Sequence, residues 1–200
     1  MRERMPSDGT ASGITCRSGE QEATARRFRS VLGSFATGVV AVTSRDPGNG
    51  EPCGLAVNSF TSVSLDPLLI AVCVSRASTT WPRIRRAGTL AVNVLAGHQR
   101  GLCRRLAMKG GDKFAGICWS ATPCGNPLID DCLAWIDCLI DREYPVGDHL
   151  MVIGAVRSFG HHANGGPLIF FRGGYGSFHV ASGHSNVGDH CDLASSDSWS

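Results

Sequence analysis

The stretch that most constrains this chain is Gly54 to Thr80, GLAVNSFTSVSLDPLLIAVCVSRASTT. Two apolar segments, Leu55 to Val57 and Leu68 to Val74, flank a run of short hydroxyl and amide side chains: Asn58, Ser59, Thr61, Ser62 and Ser64. Val and Ile enrichment between turn formers predicts a strand for each apolar segment. Asp66-Pro67 stands just before the second, where proline owes no ladder donor. So many hydroxyls at the end of a strand pair can turn the chain, or can present O–H and backbone N–H groups to an anionic or heterocyclic ligand. The residues by themselves leave both readings open.

Around this centre the chain reads as short strands with intervening helices. Ser18 followed by Gln21 has capping-box spacing, and Phe28, Val31, Leu32 and Phe35 fall at i, i+3, i+4 and i+7. A helix is therefore expected from Ser18 to about Gly33, with its apolar stripe covering one end or face of a sheet. Strands are expected at Val39 to Thr43, Thr89 to Leu95, Leu133 to Asp141, Leu150 to Val156 and Leu168 to Phe171. Short helices are expected at Thr79 to Arg86, with Pro82 in the first turn, and at His98 to Met108. Regular βαβ alternation is missing, which favours an antiparallel barrel decorated by helices over a doubly wound sheet.

Composition narrows the function classes. Two hundred residues, 42% hydrophobic and 18% charged, suit one domain with a proper core. With 19 basic and 17 acidic residues the charge is too balanced for a nucleic-acid or membrane surface. Residues 1–20 lack an apolar secretory core, and no apolar run approaches the ~20 residues that span a bilayer. Nine cysteines without a CxxC pair fit reduced core thiols, so a cytoplasmic protein is expected. No metal site is expected, because the five-residue gaps of Cys118/Cys124 and Cys132/Cys138 are not zinc spacings. The segments 1–20 and 181–200, poor in apolar residues, are expected to be disordered and flexible, leaving one domain over 21–180. No GxGxxG, P-loop, GxSxG elbow or HExxH is present.

The motif GLAVNSFTSVSLDP resembles the centre of the short-chain flavin reductase family, the reductase components of two-component flavin-dependent monooxygenases. Three further segments match that family in order: Phe35 to Val40 (FATGVV), Gly147-Asp148-His149, and Pro167 to Phe171 (PLIFF). Together they span roughly Phe28 to Phe178. The resemblance implies a mainly β chain with short helices, in the FMN-binding split-barrel fold, assembled as a homodimer. It implies reduction of FMN or FAD by hydride from NADH or NADPH, and delivery of reduced flavin to a partner monooxygenase.

Residue by residue, the resemblance places Thr37, Ala56, Val57, Asn58 and Ser59 beside the flavin, the last four mainly through backbone groups. It places Ser62 near the ribityl chain or phosphate. Ser78 and Thr80 match the family's phosphate-binding hydroxyls, with Arg76 as a nearby cation; Ser78 also fits as an N-cap for the following helix. Lys113, in Asp112-Lys113-Phe114, matches a KF or RF pair that stands near phosphate or is simply exposed. Phe171 and Tyr175 match the closing aromatic motif, in which Gly174 replaces a residue that is often basic. His149, in the GDH motif, is the expected catalytic residue, positioning the nicotinamide. Two rivals stay open: a flavin-binding or electron-transfer module on the same fold that reduces nothing by itself, and an oxidase of the pyridoxamine-phosphate type on a related barrel.

Overall fold

Valine and isoleucine runs broken by Gly, Pro, Asn and Asp build a chain of twelve strands, seen here in a computed structural model that describes residues 13–162 and 165–178. In order these are helix α1 (Gly13–Leu32), β1 (Thr37–Gly38), β2 (Val40–Arg45), β3 (Pro52–Val57), β4 (Thr61–Leu65), β5 (Leu68–Ser75), α2 (Trp81–Ala87) and β6 (Thr89–Val94). A 3-10 turn (Gly97–Gln99) leads into α3 (Arg100–Ala107), followed by β7 (Trp119–Ala121), β8 (Pro127–Ile129), β9 (Ala134–Val146), β10 (His149–His161), β11 (Leu168–Phe171) and β12 (Gly174–Ser177). The expected tail at 181–200 lies outside the described residues, as does most of the expected disordered segment; residues 13–20 belong to α1.

Seven strands form one wholly antiparallel sheet in the order β3-β2-β6-β9-β10-β5-β4. The strands at its two edges, β3 and β4, are separated in the chain only by Asn58 to Phe60. Four peptide steps from Val57 to Thr61 reach at most about 14 Å, whereas seven strands laid flat at their usual spacing extend roughly 29 Å. The sheet therefore curls until its edges approach one another. Among the described residues no strand pairing joins β3 to β4.

Alternation along β2 divides the buried residues between two cores. Val40 and Val42 enter the cluster enclosed by the curled sheet, with Leu55, Val72, Val74, Leu90, Val92, Val152 and, from α2, Trp81 and Ile84. Val39 and Ala41 face the second cluster, beneath α3, with Leu95, Cys103, Leu106, Phe114, Ile129 and Leu168. Each aliphatic side chain fully withdrawn from water contributes about 1.5–3 kcal/mol.

Two expectations are corrected here. Helix α1 starts at Gly13, so Ser18 is an interior helical position and not a cap. Its stripe does not cover the sheet, because Phe28, Val31, Leu32 and Phe35 are 54 to 75% exposed. Within the hydroxyl run, whose reading the sequence leaves open, Thr61–Leu65 is an edge strand paired with β5.

Candidate functional site

The last turn of β3, the end of β5 and the start of β10 converge because of the register. His149 opens β10 directly opposite Ser75, the last residue of β5, and opposite Val146 of β9. The turn before it uses Gly147 at φ 59°, a left-handed conformation that glycine adopts without strain. Arg76 then ties the end of β5 to this turn, its N–H donating to the Asp148 carbonyl at 3.0 Å and its guanidinium to the Gly147 carbonyl at 3.4 Å. Arg76 thus serves the GDH turn, and it does not line the cleft described next.

Between β3 and β5 lies a cleft of about 440 Å³, within the range of small-molecule sites. Its walls are Leu55 to Ser59, Cys73 to Ser75 with Ala77 to Thr80, Leu106 to Lys109 at the end of α3, Lys113 and His149. Because β3 is an edge strand, the backbone groups on its outer side have no strand partner among the described residues and are open to a ligand.

The Ser59 hydroxyl is occupied: it donates to the Cys73 carbonyl at 2.8 Å and accepts the Cys73 N–H at 3.0 Å. It pins β5 to the end of β3, leaving Ser59 to address a ligand through its backbone. Ser78 accepts the N–H of Trp81, the first helical residue, at 3.1 Å, but the N-cap position itself belongs to Thr80 and not to Ser78; the Ser78 hydroxyl proton remains free to donate.

Lys113 lines the same cleft as His149. Its ammonium donates to Thr80 Oγ1 at 3.1 Å and to the Leu106 carbonyl at 3.0 Å, and among the described residues it makes no ion pair. Burial first, and then the charge of Arg83, holds its pKa below the ordinary lysine value. A half-desolvated ammonium with only neutral partners suits an incoming anion.

His149 shares a hydrogen bond of 2.8 Å with its neighbour Asp148. An ionised carboxylate only accepts, so Nδ1 carries the proton and donates, and Nε2 is the ring nitrogen left for a ligand. That bond also holds Asp148 below the usual carboxylate range.

Eight of the expected site residues thus line one cleft: Ala56, Val57, Asn58, Ser59, Ser78, Thr80, Lys113 and His149. Five do not. Thr37 pairs with Phe170 in a separate three-stranded sheet. Ser62 is exposed on β4, opposite Ile70. Arg76 holds the GDH turn. Phe171 is exposed beneath the Arg172 guanidinium. Tyr175 lies behind β3, in a smaller cavity with Cys103 and Phe170, its hydroxyl 3.3 Å from Cys103 Sγ. Lys109 and Met108, at the close of α3, line the cleft without having been singled out; the only sequence signal was a helix ending beside a Gly-Gly pair.

The model described as "Flavin reductase like domain" matches residues 32–179. A flavin reductase of Pseudomonas putida is 49% identical over 151 residues, covering 76% of this chain and 88% of the relative. The reductase subunit HsaB of a flavin-dependent monooxygenase from Rhodococcus jostii (strain RHA1) is 43% identical over 150 residues, covering 75% and 76%. Among solved structures, nitrilotriacetate monooxygenase component B from Mycobacterium thermoresistibile superposes with a TM-score of 0.78 at 35% identity, covering 88% of this chain and 97% of that one.

Proposed function

The chain belongs to the flavin reductase like family, and from that premise we propose that it is an NAD(P)H:flavin oxidoreductase whose flavin sits in the cleft between β3 and β5. The observation that carries the placement is the unpaired Lys113 ammonium at Thr80, with His149 in the wall of the same cleft. The donor set fits a phosphorylated flavin: one cation, two hydroxyls and the open edge of β3.

A flavin bound there supplies a ring able to accept the hydride that NADH or NADPH carries. Lys113, Ser78 and Thr80 hold the phosphate of FMN or FAD by charge-assisted hydrogen bonds. Backbone N–H groups from Ala56 to Ser59 would be the donors to the polar edge of a bound flavin, an environment that favours negative charge there. Leu55, Val57 and Val74 give the cleft an apolar part of its wall. His149, oriented by Asp148, positions the nicotinamide; its contribution is geometric, since hydride transfer requires no proton.

A partner monooxygenase would receive the reduced flavin, a reading supported by the similarity to HsaB, the reductase subunit of a flavin-dependent monooxygenase. A homodimer belongs to this reading, supported by the exposed Phe28, Val31 and Leu32 of α1 and Val63 and Leu65 of β4. No helix of the described residues is long and apolar enough to cross a membrane. We place the protein in the cytoplasm, where its seven described cysteines, all free, stay reduced.

The test is an anaerobic assay of flavin-stripped protein, following NADH and NADPH absorbance with FMN, FAD or riboflavin added. Rapid oxidation that depends on flavin is the expected result. Absence of oxidation, with flavin retained through gel filtration, assigns the chain to the flavin-binding modules instead.

A further inference from the structure

The cleft does not end at Lys113. A second cavity of about 250 Å³ meets it at Thr79, Thr80 and Lys113, so that the Lys113–Thr80 hydrogen bond belongs to both. Beyond that bond the lining turns from apolar strand residues to a mixture rich in charge, with Arg83, Glu51 and Asp112 beside Lys113. The backbone of Gly110 and Gly111 closes it, each with φ near 70°.

The two cations are unequally engaged. Arg83 gives its Nε to Asp46 at 2.7 Å, while its two terminal nitrogens have no hydrogen-bond partner among the described residues. Lys113 has neutral partners only, and the proximity of Arg83 is itself unfavourable to its charge. Two cations that face one cavity and are not both neutralised are relieved by a ligand with more than one negative charge. Glu51 adds the opposite feature: its carboxylate takes part in no hydrogen bond or ion pair among the described residues. Free carboxylates accept from the vicinal hydroxyls of a ribose and repel a further phosphate placed on it.

We propose that this second cavity takes the adenosine diphosphate arm of FAD, which makes FAD the preferred flavin. The inference rests on the flavin occupying the neighbouring cleft. Lys113 contacts the phosphate next to the ribityl chain, Arg83 the phosphate beyond it, and Glu51 with Asp112 the adenosine ribose. The adenosine diphosphate half of NADH offers the same chemistry, and the test separates the two sources.

The experiment is a titration of flavin-free protein with FAD, FMN and riboflavin, followed by flavin fluorescence, with ADP and AMP as competitors. FAD is expected to bind roughly tenfold more tightly than FMN, about the gain of one charge-assisted hydrogen bond. ADP is expected to displace both flavins, because its terminal phosphate takes the place at Lys113 of the flavin's own, whereas AMP is expected to displace FAD and not FMN. Arg83→Gln is expected to bring the FAD:FMN affinity ratio towards one. Because Arg83 also anchors Asp46, Glu51→Gln, which touches no ion pair, is the second variant, and it should lower the same ratio.

Equal affinity for FAD and FMN in the unaltered protein overturns the inference while leaving the flavin cleft in place. So does an Arg83→Gln protein whose KM for NADH rises with the flavin ratio unchanged, which gives the cavity to the nicotinamide dinucleotide. Failure to bind any flavin overturns the reading of the cleft as well.

Discussion

Replacing Lys113 with methionine separates recognition of phosphate from the shape of the cleft. The lysine spends two of its three N–H groups on Thr80 Oγ1 and the Leu106 carbonyl, at 3.1 and 3.0 Å. One remains for a ligand. A hydrogen bond to a charged group contributes about 1.5–3 kcal/mol, and the openness of the cleft to water argues for the lower half of that range. At 1.4 kcal/mol per tenfold, about 1.5–2 kcal/mol weakens FMN binding roughly 10- to 30-fold. Riboflavin has no phosphate, and its affinity should not change.

The same substitution acts differently on the protein without flavin. The pKa of Lys113 is lowered in the fold, so its charged form is disfavoured there relative to the unfolded chain, and at neutral pH the ammonium detracts from stability. Methionine removes that cost and also two hydrogen bonds to neutral acceptors. The thermal midpoint of the flavin-free protein should therefore fall by less than about 2 °C. Fluorescence titrations with FMN and riboflavin, beside a thermal melt, check both halves. An equal loss of affinity for the two ligands would refute the reasoning, because Lys113 would then shape the cleft without reading the phosphate.

His149→Ala should lower kcat/KM for the nicotinamide roughly 100-fold, the scale of a lost positioning contact, with flavin affinity unchanged; a collapse of flavin binding in titration would remove its assigned role. The N–H of Gly48, with Arg83 and Arg86, draws the Asp46 carboxyl down from 3.8 to about 2. Since the folded value lies below the unfolded one, its contribution to stability is complete above about pH 4 and is lost as the pH falls towards 2. Melts across that window should show a steeper decline for the unaltered protein than for Asp46→Asn, and parallel declines would contradict the assignment. Gly54→Ala would set a Cβ 3.1 Å from the Val42 carbonyl and 3.2 Å from the Phe114 ring. Overpacking of this kind costs about 1–3 kcal/mol, visible as a drop of several degrees in the midpoint. Because Phe114 follows Lys113, FMN should bind more weakly too; a protein that keeps both its midpoint and its affinity would show that the ring yields freely.

What could be read from the sequence divides along physical lines. Strands β5, β6 and β11 lie within a residue of their expected bounds, because Leu68 to Val74, Thr89 to Leu95 and Leu168 to Phe171 are apolar runs stopped by turn formers. Strand β4 escaped because Thr61–Leu65 is mostly exposed, with three hydroxyls in five residues, so burial wrote no alternation into it. Its strand character comes from pairing with β5, which local composition does not encode.

The site divides in the same way. Ala56 to Ser59, Ser78 and Thr80 share a cleft because they are strand-end neighbours on two adjacent segments, a relation that spacing preserves. The motif resemblance brought in Lys113 and His149, distant in sequence, and they too reach that cleft. Thr37, Phe171 and Tyr175 fall instead in the separate β1-β11-β12 sheet, and Ser62 on β4, at the edge where the main sheet curls. That curl follows from the three residues that join opposite edges, and it is a property of the strand order, not of any single motif. The Ser59 hydroxyl carries the same lesson at the scale of one atom: a serine at a strand end reads as a ligand donor, yet its one proton is given to the Cys73 carbonyl. As a donor, only the backbone N–H of that residue is left for binding. Substituting Ser59 should therefore loosen the junction of β3 and β5 before it alters any direct contact to the ligand.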